Sequence, residues 1–113
     1  MSNMTITQFI LKLRVQYLDK PGVRDFEDIN SGLCCDFADD VCSEIVEAKR
    51  FWGDELTEDD WGMDEKWMNS YSYGHAFIKY NGKYYDSESP WGVKHPIKLK
   101  YYQRELQFSQ KSK

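Results

Sequence analysis

Residues 73–87 read Tyr73-Gly74-His75-Ala76-Phe77-Ile78-Lys79-Tyr80-Asn81-Gly82-Lys83-Tyr84-Tyr85-Asp86-Ser87. Two aromatic-rich runs flank Asn-Gly, the pair best suited to the left-handed backbone of a tight hairpin turn. The stretch therefore reads as strand, two-residue turn and strand. Such a turn pairs Tyr80 with Lys83, which sets Phe77 opposite Asp86 and His75 opposite Glu88. Side chains alternate along a strand, so residues 75, 77 and 79 share a face with 84, 86 and 88. His75 and Asp86 become diagonal neighbours on that face, with Cα atoms roughly 7–8 Å apart, within reach of an imidazole and a carboxylate. A slip of one residue would send them to opposite faces.

Upstream, the spacing predicts two helices. Thr5 to Leu18 carries a stripe of Ile6, Phe9, Ile10, Leu13 and Tyr17, with Thr5 or Thr7 as a cap and Asp19-Lys20-Pro21-Gly22 as the stop. A polar loop through Asn30-Ser31-Gly32 leads to a second helix from about Cys34 to Arg50. Leu33, Phe37, Val41 and Ile45, flanked by Ala38, Cys42 and Val46, form its apolar face, and Asp36, Asp39, Asp40, Glu44 and Glu47 its wet side. Residues 53–66 hold seven acids and one base. Their spacing does not fit a helix–loop–helix calcium site, and they read as a solvated loop or short acidic helix, with Trp61 and Trp67 tucking it onto the body. Downstream, Pro90-Trp91-Gly92 reads as a break. Ile97, Leu99 and Tyr101 alternate within 95–103 and suggest a third strand, and 104–113 a frayed tail. The fold class that follows is α+β: one domain over 1–113, with two N-terminal helices, the second central, packed on a small antiparallel sheet of about three strands.

Composition narrows the function classes. The chain has 113 residues, 41% of them hydrophobic and 16% aromatic, too rich in apolar groups for disorder. No run reaches the ~20 apolar residues of a membrane span, and the N-terminus lacks the pattern of a signal peptide. A cytoplasmic protein is expected. The net charge of −4 divides unevenly: residues 1–70 carry 7 Lys+Arg against 16 Asp+Glu, a net of −9, and residues 71–113 carry 8 against 3, a net of +5. An acidic chain with a short, dispersed basic part is a poor match for nucleic acid. Three cysteines, two of them adjacent, make a poor disulfide framework. Cys34, Cys35, Cys42 and His75 match no common zinc spacing, so no metal and no cofactor is assigned.

What remains is nucleophile chemistry. Cys34 opens the second helix, where the helix dipole favours an anion. An imidazolium beside it would favour the thiolate further, and Asp86 would hold that imidazole in one tautomer and orientation. His75, Cys34 and Asp86 are the candidate catalytic residues. Cys35 is the alternative nucleophile, Cys42 reads as structural, and His95 as a surface residue. Asp36 supports the helix start through the dipole, and Glu88 shares the catalytic face. Asn30, Tyr73 and Trp91 are placed as substrate-binding walls.

These residues also resemble a known group. Gly32-Leu33-Cys34-Cys35-Asp36-Phe37-Ala38 is similar to the Gly-x-Cys-x-Asp-Phe-Ala motif of the transglutaminase-like superfamily, within the papain-like cysteine proteinase fold. His75-Ala76-Phe77 resembles that family's His-Ala-Trp strand, and Tyr84-Tyr85-Asp86 its aromatic-then-Asp strand. The resemblance implies a papain-like core, a triad of Cys34, His75 and Asp86, and Cys34 rather than Cys35 as nucleophile. Family members often bind the oxyanion with an upstream indole or amide. This chain has no Trp before Trp52, which leaves Gln16, Tyr17 or Asn30 for that task.

The expected activity is that of a cysteine hydrolase or acyltransferase, a peptidase, deamidase or transglutaminase-like enzyme, acting on a peptide or protein amide through a Cys34 thioester. The acidic stretch at 54–65 suits a cationic substrate segment. The alternative is a binding or inhibitory module that keeps the fold without turnover, such as a small phage or plasmid protein acting on a host partner. Replacing Cys34 by Ala separates them, since a binder keeps its effect. A zinc-stabilised domain, the third reading, would show metal after purification and would unfold with a chelator. No sequence feature specifies an oligomer.

Overall fold

Two layers build around a four-stranded antiparallel sheet in the order β1-β2-β3-β4. The computed structural model describes residues 4–56 and 75–104. Helix α1 (Ile6–Tyr17) begins at a capping box in which Thr5 Oγ1 accepts the Gln8 N–H and the Gln8 side chain accepts the Thr5 N–H. Its buried residues, Ile6, Ile10, Leu13 and Tyr17, follow the expected stripe. Helix α2 (Phe26–Ile29) is a single turn within the expected loop, capped by the Asp25 carboxylate on the Asp28 N–H.

Helix α3 (Cys34–Glu44) starts at the expected residue and ends six residues early. The apolar pattern runs on through Ile45 and Val46, with no Gly or Pro to stop it. Instead, Ile45 turns extended and Glu47 takes a φ of 74°, which frees the chain to pair as β1 (Lys49–Trp52). Val46, counted with the apolar face, is 83% exposed. Tertiary pairing has overridden local periodicity here.

The hairpin of β2 (Ala76–Tyr80) and β3 (Lys83–Asp86) has the expected register, Tyr80 to Lys83, Lys79 to Tyr84 and Ile78 to Tyr85. Asn81 and Gly82 take φ values of 52° and 78°, as the turn requires. The third strand is not where the alternation placed it. Strand β4 (Ser89–Val93) contains Pro90-Trp91-Gly92, the supposed break. It pairs Tyr84 with Val93 and Asp86 with Ser89, so five residues oppose three and the strand bulges. Proline is tolerated because β4 is an edge strand. Gly92 has a φ of 82°, and a Cβ there would meet the Tyr85 ring at 2.7 Å.

Residues 95–103 are not a strand. They form a 3-10 turn, Pro96–Lys98, followed by a helical turn at 100–104 that begins at Leu99, whose carbonyl accepts the Gln103 N–H. Leu99 and Tyr102 are both fully buried, a spacing of three that helix satisfies and alternation does not.

Alternation across the sheet yields two cores. Ile78 and Tyr85 point to α1, α2 and α3, among Ile6, Ile10, Ile29, Phe37 and Val41. Phe77 and Tyr84 point the other way, to Leu56, Ile97, Leu99 and Tyr102. Trp61, Trp67 and most of the acidic stretch lie outside the described residues, as do Tyr73 and the tail beyond 104. Among the described residues, no helix is long and apolar enough to cross a membrane.

Candidate active site

Cys34, His75 and Asp86 come together where the start of α3 meets one end of the hairpin. The turn at 29–33 delivers the cysteine: the Leu33 N–H binds the Ile29 carbonyl and the Phe37 N–H binds the Leu33 carbonyl. Leu33 occupies the N-cap and offers no side-chain cap, and the Cys35 N–H in the first turn serves the Cys34 sulfur. Cys34 is 7% exposed. Its sulfur accepts the Ala76 N–H at 3.5 Å, which ties the helix start directly to β2.

His75 is completely buried and Asp86 almost so. Imidazole Nε2 meets Asp86 Oδ2 at 3.0 Å. The other oxygen, Oδ1, accepts the N–H groups of Glu88 at 3.0 Å and Ser89 at 2.9 Å, so the β3–β4 turn fixes the carboxylate. With Nε2 committed to Asp86, Nδ1 is the ring nitrogen left for the thiol. Ring and sulfur are close enough to act on each other through a hydrogen bond and through charge.

The electrostatics are those of a coupled pair. Burial is the largest influence on Cys34 and raises its pKa. The His75 hydrogen bond, the Ala76 N–H, the His75 charge and the Cys35 N–H together outweigh burial and hold the thiol below its ordinary 9.0. Burial is likewise the largest influence on His75 and lowers its pKa. The hydrogen bonds to Asp86 and Cys34, with the charges of both, outweigh it and hold the ring above 6.5. The other two thiols move the opposite way. Burial, the largest influence on each, raises Cys35 and Cys42, although Arg50 lies 3.0 Å from the Cys35 sulfur. Arg50 is already bound to Asp39 at 2.7 Å, which blunts its pull.

A cleft of about 540 Å³ opens onto the sulfur, lined by Asn30, Ser31, Gly32, Cys34, Cys35, Trp52 and Tyr101. Of the three residues considered for the oxyanion, only Asn30 lines this cleft. Gln16 and Tyr17 border a separate hollow, where the Tyr17 hydroxyl donates to Asp40. The Asn30 side chain is buried, and its Nδ2 donates to Glu88 Oε1 at 2.9 Å. Trp91, placed in the sequence reading as a cleft wall, does not reach it. It stands 64% exposed on β4 and borders a different hollow with Lys98 and Lys100. Glu88 does not point to solvent, being clamped by Arg104 at 2.6 and 2.8 Å. His95 is half-buried, and its carbonyl accepts the Lys98 N–H.

Two cleft residues escaped the sequence reading. Trp52 ends a strand of which the expected helix covers only Lys49 and Arg50, and Tyr101 sits in a helical turn where the alternation suggests a strand. The adjacent Tyr101-Tyr102 pair was the available signal, since on an alternating strand one of the two would have faced water. Among the described residues, no group of three His, Cys, Asp or Glu is placed to hold a metal ion. Compared with models of known families, with curated proteins and with solved structures, the chain matches none.

Proposed function

We propose that this protein is a cysteine hydrolase or acyltransferase that acts on an amide of a peptide or protein through a thioester at Cys34. The observation that carries the reading is the buried His75 ring, held by Asp86 at 3.0 Å on one nitrogen and electrostatically coupled to the Cys34 thiol. A helix start without a side-chain cap and a sulfur that already accepts a backbone N–H support it. So does the order of motifs that resembles the transglutaminase-like superfamily, with its papain-like core.

In this reading the Cys34 thiolate attacks the carbonyl carbon of the amide. Negative charge gathers on the carbonyl oxygen, where backbone amides at the head of α3 stabilise it. The C–N bond breaks as the His75 Nδ1 proton passes to the leaving nitrogen, and the acyl group stays on sulfur as a thioester. Water or an acceptor amine then attacks the thioester and gives its proton to His75, which restores the starting pair. Asp86 keeps the imidazole oriented throughout and stays ionised.

The test is alkylation at pH 6–7 by an electrophilic peptide-like probe, with the modified thiol mapped by mass. Stoichiometric labelling of Cys34 ahead of Cys35 and Cys42 is expected. Equal and slow labelling of all three thiols would overturn the reading. In the biological assay, Cys34→Ala should lose its effect while folding is retained.

A further inference from the structure

The helical turn at 100–104 lies directly against the imidazole. The Tyr101 ring stacks on His75 with centroids 4.0 Å apart and planes 14° from parallel. Tyr102 meets the same imidazole edge-on at 5.5 Å, and Tyr101 and Tyr102 are perpendicular at 5.1 Å. Phe77 adds a tilted ring at 5.9 Å. The imidazole is thus enclosed by aromatic groups on the side away from the helices.

The turn is fastened as well as packed. Leu99 and Tyr102 are fully buried, and the Gln103 side chain donates to the Ile97 carbonyl at 2.6 Å. Arg104 grips Glu88 with two nitrogens and reaches Glu27 at 3.0 Å with a third. Bidentate guanidinium–carboxylate pairs are the most directional of ion pairs. Glu88 is also the residue whose backbone N–H binds Asp86 Oδ1 and whose carboxylate takes the Asn30 amide. One residue, through its backbone and its carboxylate, therefore joins the helical turn at 100–104, the Asp86 carboxylate and the cleft.

We propose that Tyr101 is a positioning residue of this site: stacked on His75 and locked by the Arg104–Glu88 pair, it holds the imidazole in the plane that bridges Cys34 and Asp86. What His75 does there rests on the function proposed above. Two physical effects follow. The ring face excludes water from the His75–Asp86 bond, and its electron-rich surface favours a cation against it. The groups facing the imidazole are Cys34 from α3, Asp86 from β3, and the phenols of Tyr101 and Tyr102. Tyr101 and Tyr102 carry no charge near neutrality, so their contribution comes through ring geometry.

The test uses the full chain and two readouts on Tyr101→Leu, Tyr101→Phe and Arg104→Gln. The first is the iodoacetamide rate at Cys34 across pH 5–10. Tyr101→Leu should slow labelling about fivefold near pH 6, the size of an aromatic–cation contact. The deficit should vanish in alkali, where the thiolate forms without help. Tyr101→Phe keeps the ring and should restore the wild-type profile to within about twofold. Arg104→Gln should fall between the two. The second readout is the NMR titration of the His75 ring protons, which should move downfield and titrate at lower pH in Tyr101→Leu. Wild-type labelling and titration in Tyr101→Leu would overturn the proposal, as would a uniform loss at every pH. Unselective labelling of wild-type thiols, with His75 protons still responding to Tyr101→Leu, would instead overturn the thioester function and leave the stacking role standing.

Discussion

On one face of the sheet, Ile78 and Tyr85 meet a largely aliphatic layer delivered by α1, α2 and α3. On the other, Phe77 and Tyr84 meet Tyr102, Leu99 and Ile97 from the C-terminal segment. The first layer is carried by helices with strong apolar stripes, and it positions the thiol. The second is built from short turns around bulky rings, and it surrounds the imidazole. The Cys34–His75 pair thus spans two layers with different origins: the helical layer carries the thiol at its tip, while the aromatic layer packs around the ring.

Substitutions on each side can break this division. The largest effect belongs to the imidazole. His75→Ala removes the imidazole's hydrogen bond and charge and leaves burial, which raises Cys34, opposed only by the N–H groups of Ala76 and Cys35, so labelling should shift to higher pH. At pH 6 the rate should fall on the order of 100-fold, the scale expected when a paired thiolate reverts to an ordinary thiol. An unchanged profile would detach His75 from Cys34. Next comes the helical layer. Ile10→Ala, at a fully buried position, should cost about 2–5 kcal/mol in denaturant unfolding. Below its transition the Cys34 pH profile should stay put, and a shifted profile would mean that the two layers do not act separately.

A smaller effect is expected at the sheet edge. Gly92→Ala combines a left-handed backbone with a Cβ 2.7 Å from the Tyr85 ring, so a loss of roughly 1–3 kcal/mol should appear in thermal or denaturant melts. Because Tyr85 belongs to the helical layer, labelling of Cys34 should survive that substitution better than the melt does. The smallest effect is at Val46, which periodicity would bury and the fold exposes. Val46→Lys should change stability by no more than about 0.5 kcal/mol. A large loss would restore the longer helix.

The same contrast explains what could be read from the sequence. Residues Thr5, Gln8 and the stripe from Ile6 to Tyr17 specify α1 locally, and Asn81-Gly82 fixes the register that brings His75 and Asp86 together. These signals are short-range and need no partner. Strand β1 was hidden because Ile45 and Val46 continue a helical rhythm, and only pairing with β2 draws residues 49–52 into the sheet. Strand β4 was hidden because its bulge places proline and glycine inside a strand. Tyr101 was hidden because Ile97, Leu99 and Tyr101 fit a period of two as well as they fit turns. In each case a long-range contact chose between local alternatives of similar energy. Of the candidate site, the proximity of Cys34, His75 and Asp86 was legible, but the cleft walls Trp52 and Tyr101 were not, since both lie in segments whose conformation is set from a distance.

The missing side-chain cap on α3 gives this layout an engineering consequence. Most helices begin with a hydroxyl, carboxylate or amide that shields their first donors, and α3 begins with Leu33. A serine or aspartate there would be a natural choice for anyone seeking a hardier variant. The proposed reaction would draw on backbone amides at that same spot, so a capped variant would show whether thermal robustness and reactivity compete for the same few hydrogen atoms.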